Sequence, residues 1–174
     1  MRHLVIVLSL LAAGLLALNC VGGGDSGFDE PKWAAQVCAV AQRLDDDLDA
    51  VDDEVDPTSL SLEERKARTS RVDLPAAEAY EAAAEALLTI SPPPGASAFH
   101  EAQQRAVAEV AEAYMTNIAE IMEANSTGEV AASTATFAAA FARASENVTQ
   151  AADSISDEAQ AALREIDRCG RLPN

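Results

Sequence analysis

The sequence has few of the residues that build most catalytic and metal sites. Among its 174 residues there are 2 histidines, 3 cysteines and only 4% aromatic residues. Beyond residue 19, His100 is the only histidine, which excludes a multi-histidine zinc site there. A zinc-protease helix would need a second histidine where Gln104 stands. Because Gly-x-Ser-x-Gly turns, phosphate loops and dinucleotide fingerprints are absent too, we expect a protein that is not an enzyme and uses no cofactor.

Positive charge is also scarce in this sequence. Lys and Arg number 12 against 29 Asp and Glu, which gives a formal net charge of −17. Nucleic acid and anionic lipid headgroups bind clusters of Lys and Arg, so a strongly anionic protein is repelled by both. We therefore expect no nucleic-acid partner, and the simplest role of the charge is to keep the domain soluble.

Alanine is the residue that the sequence has in excess. The chain contains 38 alanines, few aromatic residues and few β-branched residues. Alanine is the best helix former, whereas β-branched and aromatic residues favour strands. Proline and glycine sit mostly at a few break points, which is typical of turns between helices. The composition therefore predicts an all-α protein.

The N-terminus has the layout of an export signal. Arg2 supplies a short positive start, and Leu4–Leu18 is an apolar run of 15 residues. This run has signal-peptide length and is shorter than the ~20 residues that a membrane-spanning helix needs. The sequence thus predicts a signal peptide over residues 1–19.

Cys20 follows the apolar run directly, and residues 20–29 combine this cysteine with a glycine-rich polar tether. The layout resembles bacterial lipoprotein precursors, in which the cysteine is diacylated and becomes the new N-terminus. Asn19 departs from the small residue that such precursors carry before the cysteine. Ordinary cleavage near residues 22–23 and retention as an uncleaved anchor are the alternatives. All three outcomes place the body of the protein outside the cytoplasm.

Four consecutive stretches carry apolar residues every three to four positions, the spacing of one helix face. The breaks between them are Pro57, the proline run at 91–95 and the turn at 126–128. Ser61 and Glu64 form a capping box at the start of the second stretch. In the first stretch the apolar seam contains Ala34, Val37, Ala41, Leu44, Leu48, Val51 and Val55.

These stretches predict a single domain over residues 30–174. Short connections make neighbouring helices antiparallel, so we expect an up-down-up-down four-helix bundle. Pro75 should kink the second arm, and a phase shift near 154–157 should kink the fourth. Tyr114, Phe137 and Phe141 should form one bulky layer of the core.

The two cysteines that remain after Cys20 lie near the two ends of this domain. The up-down-up-down order brings the start of the first arm and the end of the fourth to the same pole. A Cys38–Cys169 disulfide would therefore clamp the bundle. It would close a loop of about 130 residues and contribute roughly 4–5 kcal/mol on a chain-entropy model. Two unrelated buried thiols are the alternative.

Residues 45–56 hold eight carboxylates in twelve positions. Several match the spacing of a calcium-binding EF-hand loop, but Ala50 stands where that loop needs glycine, and the apolar seam continues through the segment. We therefore expect a helix whose acidic flank pairs with the basic residues of 65–71 across the turn. Weak surface binding of cations is the alternative, and its candidates are Asp45, Asp49, Asp52 and Asp56.

Trp33, Phe99 and His100 are predicted to lie near the pole that carries Cys38 and Cys169. They are candidates for a small docking patch for another envelope protein.

The cysteine-and-tether start, the Trp33 and Cys38 pair of the first arm, the break at 92–94 and the Cys169-Gly170 end occur together. This combination is similar to small helical lipoproteins of bacteria, a resemblance that implies no particular activity.

We expect a non-catalytic interaction or structural module, lipid-anchored at the outer face of the cytoplasmic membrane or secreted, with an envelope protein as partner. An extracytoplasmic binding protein for a small ligand or divalent cations is the alternative.

Overall fold

The structure is a computed structural model and describes residues 29–52, 55 and 59–165. The predicted signal peptide, Cys20, Asp56 and Cys169 lie outside the described residues. The predicted lipid anchor and the Cys38–Cys169 pairing therefore stay predictions.

All regular secondary structure in the described ranges is helical, which confirms the predicted all-α class. The longest helices coincide with the stretches of apolar periodicity. The elements are α1 (Glu30–Val51), α2 (Leu62–Arg68), a π-helical turn (Thr69–Asp73), α3 (Leu74–Leu88), a 3₁₀ turn (Pro94–Ala96), α4 (Ser97–Glu123), α5 (Thr127–Ala152) and α6 (Asp157–Arg164). None of the described helices is both long enough and apolar enough to cross a bilayer.

Side-chain caps fix several helix starts. The capping box predicted for α2 is present: the Ser61 hydroxyl and backbone N–H both donate to the Glu64 carboxylate, at 2.6 and 2.9 Å. The hydrogen bond from the Ser61 hydroxyl, followed by the one from the Ser61 N–H, holds the pKa of Glu64 below its usual value. The Asp29 carboxylate accepts from the Lys32 N–H at 3.0 Å and starts α1, while the Ser156 hydroxyl starts α6. Side chains of the residues just before α1, α2 and α6 thus fix where these helices begin.

Near Pro75, where the sequence predicts a kink, the structure has a π-helical turn that ends at Asp73. Pro75 has no N–H to donate to the carbonyl of Arg71, and its ring crowds that carbonyl. The backbone widens here, and the Leu74 N–H donates to the Thr69 carbonyl, five residues back. The turn joins α2 to α3, and its buried residues are Thr69 and Val72.

The helices pack largely in chain order: α1 on α3, α3 on α4, and α4 on α5. The chain bends after α5, and α6 packs back on α1. The Ser156 N–H donates to the Gly95 carbonyl at 2.8 Å, which ties this bend to the turn before α4. By contrast, α1 and α5 do not pack closely along their lengths. The seam between α1 and α5 is therefore more open than the others.

Aromatic side chains of α3, α4 and α5 form the predicted bulky layer. The Tyr114 and Phe137 rings lie 4.4 Å apart between centroids, and Phe137 and Phe141 lie 6.4 Å apart. Tyr80 of α3 joins them at 5.5 Å from Tyr114. The remaining interior is filled largely by alanine, valine and leucine.

Candidate functional site

A pocket of about 140 Å³ opens where the end of α1 meets α2, the π-helical turn, α4 and α5. We call it the π-turn pocket. Its wall combines both signs of charge with aromatic rings. The residues that give it this character are Asp52, Arg65, Arg68, Asp73, Tyr114 and Phe137.

The π-helical turn builds one side of this pocket by fixing Asp73. Arg68 Nη1 lies 3.0 Å from Asp73 Oδ1 in a salt bridge, and the Thr69 hydroxyl donates to Asp73 Oδ2 at 2.8 Å. Both carboxylate oxygens of Asp73 are thus engaged, one by the last residue of α2 and one by the first residue of the turn. Single π turns within helices occur frequently at functional sites, because the widened backbone re-aims the side chains that follow.

Arg65 is the cation of the pocket that has no partner in the described part of the chain. Its side chain is half-buried on α2 and lines the cavity. It makes no ion pair or hydrogen bond with another described residue. A guanidinium carries five N–H donors in a planar fork that matches a carboxylate or phosphate group. Arg65 is therefore the residue best suited to hold an anionic group in this pocket.

Tyr114 supplies a neutral hydroxyl beside the charged groups. Burial, followed by the nearby Asp73 carboxylate, raises the pKa of Tyr114 to about 12, against an opposing effect of Arg68. The phenol therefore keeps its proton throughout the physiological range. Its ring packs on Phe137, so the same side chain gives the pocket an apolar wall and a polar tip.

Asn117 lines the pocket next to Tyr114 and is 6% exposed. Its Oδ1 accepts a hydrogen bond from the Ser133 hydroxyl at 2.7 Å. Because this bond joins α4 to α5, it fixes the orientation of the amide and the spacing of the two helices at the pocket. The arrangement as a whole can bind a small anion, and its described lining residues offer no nucleophile paired with a base.

The structure places the first part of the acidic run, up to Val51, on a helix. Val55 lies beyond the end of α1 and is 43% exposed, so the prediction that the apolar seam continues to Val55 is wrong. α1 continues without interruption through Asp45 and Asp49 to Val51, so the backbone does not form a calcium loop there. Asp52 follows as the C-cap and lines the π-turn pocket. Among the described residues no group of three or more His, Cys, Asp or Glu side chains could hold a metal ion.

The prediction that Trp33, Phe99 and His100 form a docking patch is wrong, because all three are buried. Their exposed fractions are 2%, 1% and 0%. Trp33 and His100 do come together as expected, with Trp33 Nε1 donating to His100 Nδ1 at 3.4 Å and the rings edge to face. This contact joins α1 to α4 inside the core, so the residues stabilise the fold and offer no surface to a partner.

The contacts of His100 fit the neutral tautomer with its proton on Nε2, a nitrogen that also lies 3.1 Å from the amide nitrogen of Gln104. Since Trp33 donates to Nδ1, that nitrogen carries no proton, and Nε2 donates to the Leu87 carbonyl at 3.2 Å. Gln104 donates to the same carbonyl at 3.0 Å. Burial lowers the pKa of His100, while the carbonyls of Leu87 and Ile90 act in the opposite direction. His100 is therefore a neutral core residue that links α1, α3 and α4.

The sequence does not predict the π-turn pocket, although it singles out several of the residues that line it. Its pattern places Arg65 and Arg68 in an ion-paired flank and places Tyr114 and Phe137 in the core. The signal that could have indicated the pocket is Pro75, which interrupts a helix directly after a cluster of basic residues.

Comparisons of the chain with protein-family models, with curated proteins and with solved structures found no match.

Proposed function

We propose that the protein is a non-catalytic binding module of the cell envelope whose π-turn pocket binds a small organic anion. Of the two functions expected from the sequence, ligand binding is the one that a specific feature supports. That feature is Arg65, a half-buried guanidinium without a described partner, at a pocket lined by aromatic rings.

The dimensions of the pocket define the size of the ligand. At about 140 Å³ it is smaller than the ~300–1,000 Å³ of pockets for drug-sized molecules. It therefore suits a ligand of a few heavy atoms, such as a short carboxylate. Hydrogen bonds between a guanidinium and a carboxylate are about twice as strong as neutral ones. The Tyr114 hydroxyl and the Phe137 ring would contact the remainder of the ligand.

We also propose that Cys20 carries the lipid that anchors the protein to the membrane. α1 begins at Glu30, directly after the predicted tether, and its 22 residues span about 33 Å. The π-turn pocket lies at the far end of α1. A lipid on Cys20 would thus leave the pocket directed away from the outer face of the cytoplasmic membrane. The envelope-protein partner expected from the sequence stays a prediction.

The closed four-helix arrangement with a Cys38–Cys169 disulfide is the finer part of the fold that we propose. Cys38 is 1% exposed on α1. α6 packs on α1 and ends at Arg164, five residues before Cys169. Bridging these cysteines would hold the end of the chain against α1 and close the bundle at the pole opposite the pocket.

Calorimetry with purified protein and a panel of short carboxylates, amino acids and matched amines tests the proposed ligand class. We expect carboxylates to bind and the matched amines not to bind. Arg65→Gln should abolish binding, whereas Arg105→Gln, which removes the same charge from an exposed position on α4, should leave it unchanged.

Binding also raises the apparent stability, by about 2.7 kcal/mol at a ligand concentration a hundredfold above Kd. A thermal-shift series over the same panel therefore provides an independent readout. The proposal is refuted if no carboxylate binds, or if the Arg65 and Arg105 variants lose affinity equally.

A further inference from the structure

A second cavity lies under the open seam between α1 and α5, and we call it the Gln103 cleft. It has a volume of about 30 Å³ and shares no described lining residue with the π-turn pocket. Its walls are almost entirely apolar, and its described lining contains no charged side chain. The main contributors are Val37 and Leu44 of α1, Leu87 of α3, Val107 of α4 and Val148 of α5.

Gln103 is the exception in this apolar lining. It is 2% exposed, and both its amide oxygen and its amide nitrogen are buried without a hydrogen-bond partner. Buried polar groups in folded proteins are nearly always hydrogen-bonded, because an unpaired amide loses its hydration without compensation. Because Gln103 lines this cavity, a partner that enters the cavity is the one able to satisfy its amide.

The neighbouring Gln104 shows that the position of the amide, and not the residue type, is unusual. Gln104 lies on the same helix and donates to the Leu87 carbonyl at 3.0 Å. The helix therefore places Gln104 where its amide is hydrogen-bonded and places Gln103 beside an apolar cavity. A leucine at position 103 would complete the apolar wall, so the amide has no evident part in packing.

We propose that the Gln103 cleft binds an uncharged ligand whose head both donates and accepts a hydrogen bond, carried on a short apolar chain. A primary carboxamide has this chemistry, because its C=O and N–H₂ pair with the N–H₂ and C=O of Gln103 in a two-bond ring. A charged head is excluded, since the described lining offers no opposite charge and burial of an unpaired ion is far more costly than burial of an amide.

The ligand would enter the Gln103 cleft through the open seam between α1 and α5. A volume of about 30 Å³ holds the head group, or about two water molecules. The apolar chain would lie between Val40 and Ala41, which are half-buried at the edge of the cleft, and the facing side of α5. Since α1 and α5 do not pack closely, this seam can widen without breaking a helix–helix interface.

NMR titration of the whole protein with butanamide and hexanamide tests the proposal directly. We expect the side-chain N–H₂ signals of Gln103 to shift on saturation, with those of Gln104 little affected. Butanoate, which is charged, and methyl butanoate, which accepts but cannot donate, should bind at least about tenfold more weakly.

Two variants separate recognition from folding. Gln103→Leu removes the amide while keeping the apolar volume, and it should lower the butanamide affinity at least about tenfold. Gln36→Leu makes the same change at an exposed position of α1 and should leave the affinity unchanged. The proposal is overturned if Gln103→Leu retains full affinity. It is likewise overturned if no probe shifts the Gln103 signals and a crystal structure shows only ordered water on the amide.

Discussion

Acidification should destabilise the protein through His100. The folded state holds this histidine neutral, because its Nδ1 accepts from Trp33 and burial lowers its pKa below the ordinary value of 6.5. Between the folded pKa and 6.5 the unfolded chain therefore binds more protons than the folded chain, so the free energy of unfolding rises with pH in this range. The stability that neutral His100 provides is lost as the pH falls below 6.5, until the folded state is protonated as well.

The size of this effect has an upper limit. One proton changes the free energy of unfolding by at most about 1.4 kcal/mol per pH unit. For a group that titrates at 6.5 when unfolded and stays neutral when folded, lowering the pH from about 7.5 to 5.5 removes at most about 1.4 kcal/mol. For a domain of this size that corresponds to a decrease in Tm of roughly 3–6 °C.

Urea unfolding of the wild type and of His100→Gln across this pH range is the assay. Glutamine can accept from Trp33 and donate to Leu87 without titrating, and the carboxylates contribute equally in both proteins. We expect the difference in stability between the two proteins to change by up to about 1.4 kcal/mol as the pH falls, with the wild type losing more. Parallel pH profiles, or a wild type that gains stability relative to the variant, would refute the reasoning.

Two further predictions concern the core and the joint between α5 and α6. Trp33→Phe removes the donor to His100 and leaves a buried acceptor unpaired, so chemical denaturation should show a loss of about 1–3 kcal/mol; a loss below about 0.5 kcal/mol would contradict the inferred hydrogen bond. Gly95→Ala places a Cβ 2.6 Å from the Cβ of Ser156. We therefore expect the free energy of unfolding to fall by roughly 1–3 kcal/mol, measured by thermal unfolding. Adding Ser156→Gly to this variant should restore part of that loss. The matched change Gly128→Ala, in the first turn of α5, brings the new Cβ only into ordinary contact with the Ser126 hydroxyl, at 3.8 Å, and should be neutral or stabilising.

The helices could be predicted from sequence because their signals are local. The seam of α1 needs only apolar residues at helical spacing, and Leu44 and Leu48 are indeed buried. The Ser61–Glu64 capping box spans four residues and forms as expected. The aromatic layer needs only the relative heights of two helices, which their connecting turn sets.

The candidate site could not be predicted in the same way because it depends on contacts that are distant in sequence. The partners of His100 include Trp33, 67 residues away, and no local pattern shows that both its ring nitrogens are satisfied inside the core. Pro75 predicts a kink but not the π-helical geometry that aims Asp73 at Arg68. Whether Arg65 finds a partner is decided by the packing of four separate segments around the pocket.

The most direct test of anion binding at the π-turn pocket is to follow the Arg65 Nε–H signal by NMR during titration with a short carboxylate. A saturable shift of the Arg65 signal is predicted, with no comparable shift for the exposed Arg105. Equal, non-saturating shifts of both arginines, or no shift of Arg65, would contradict it.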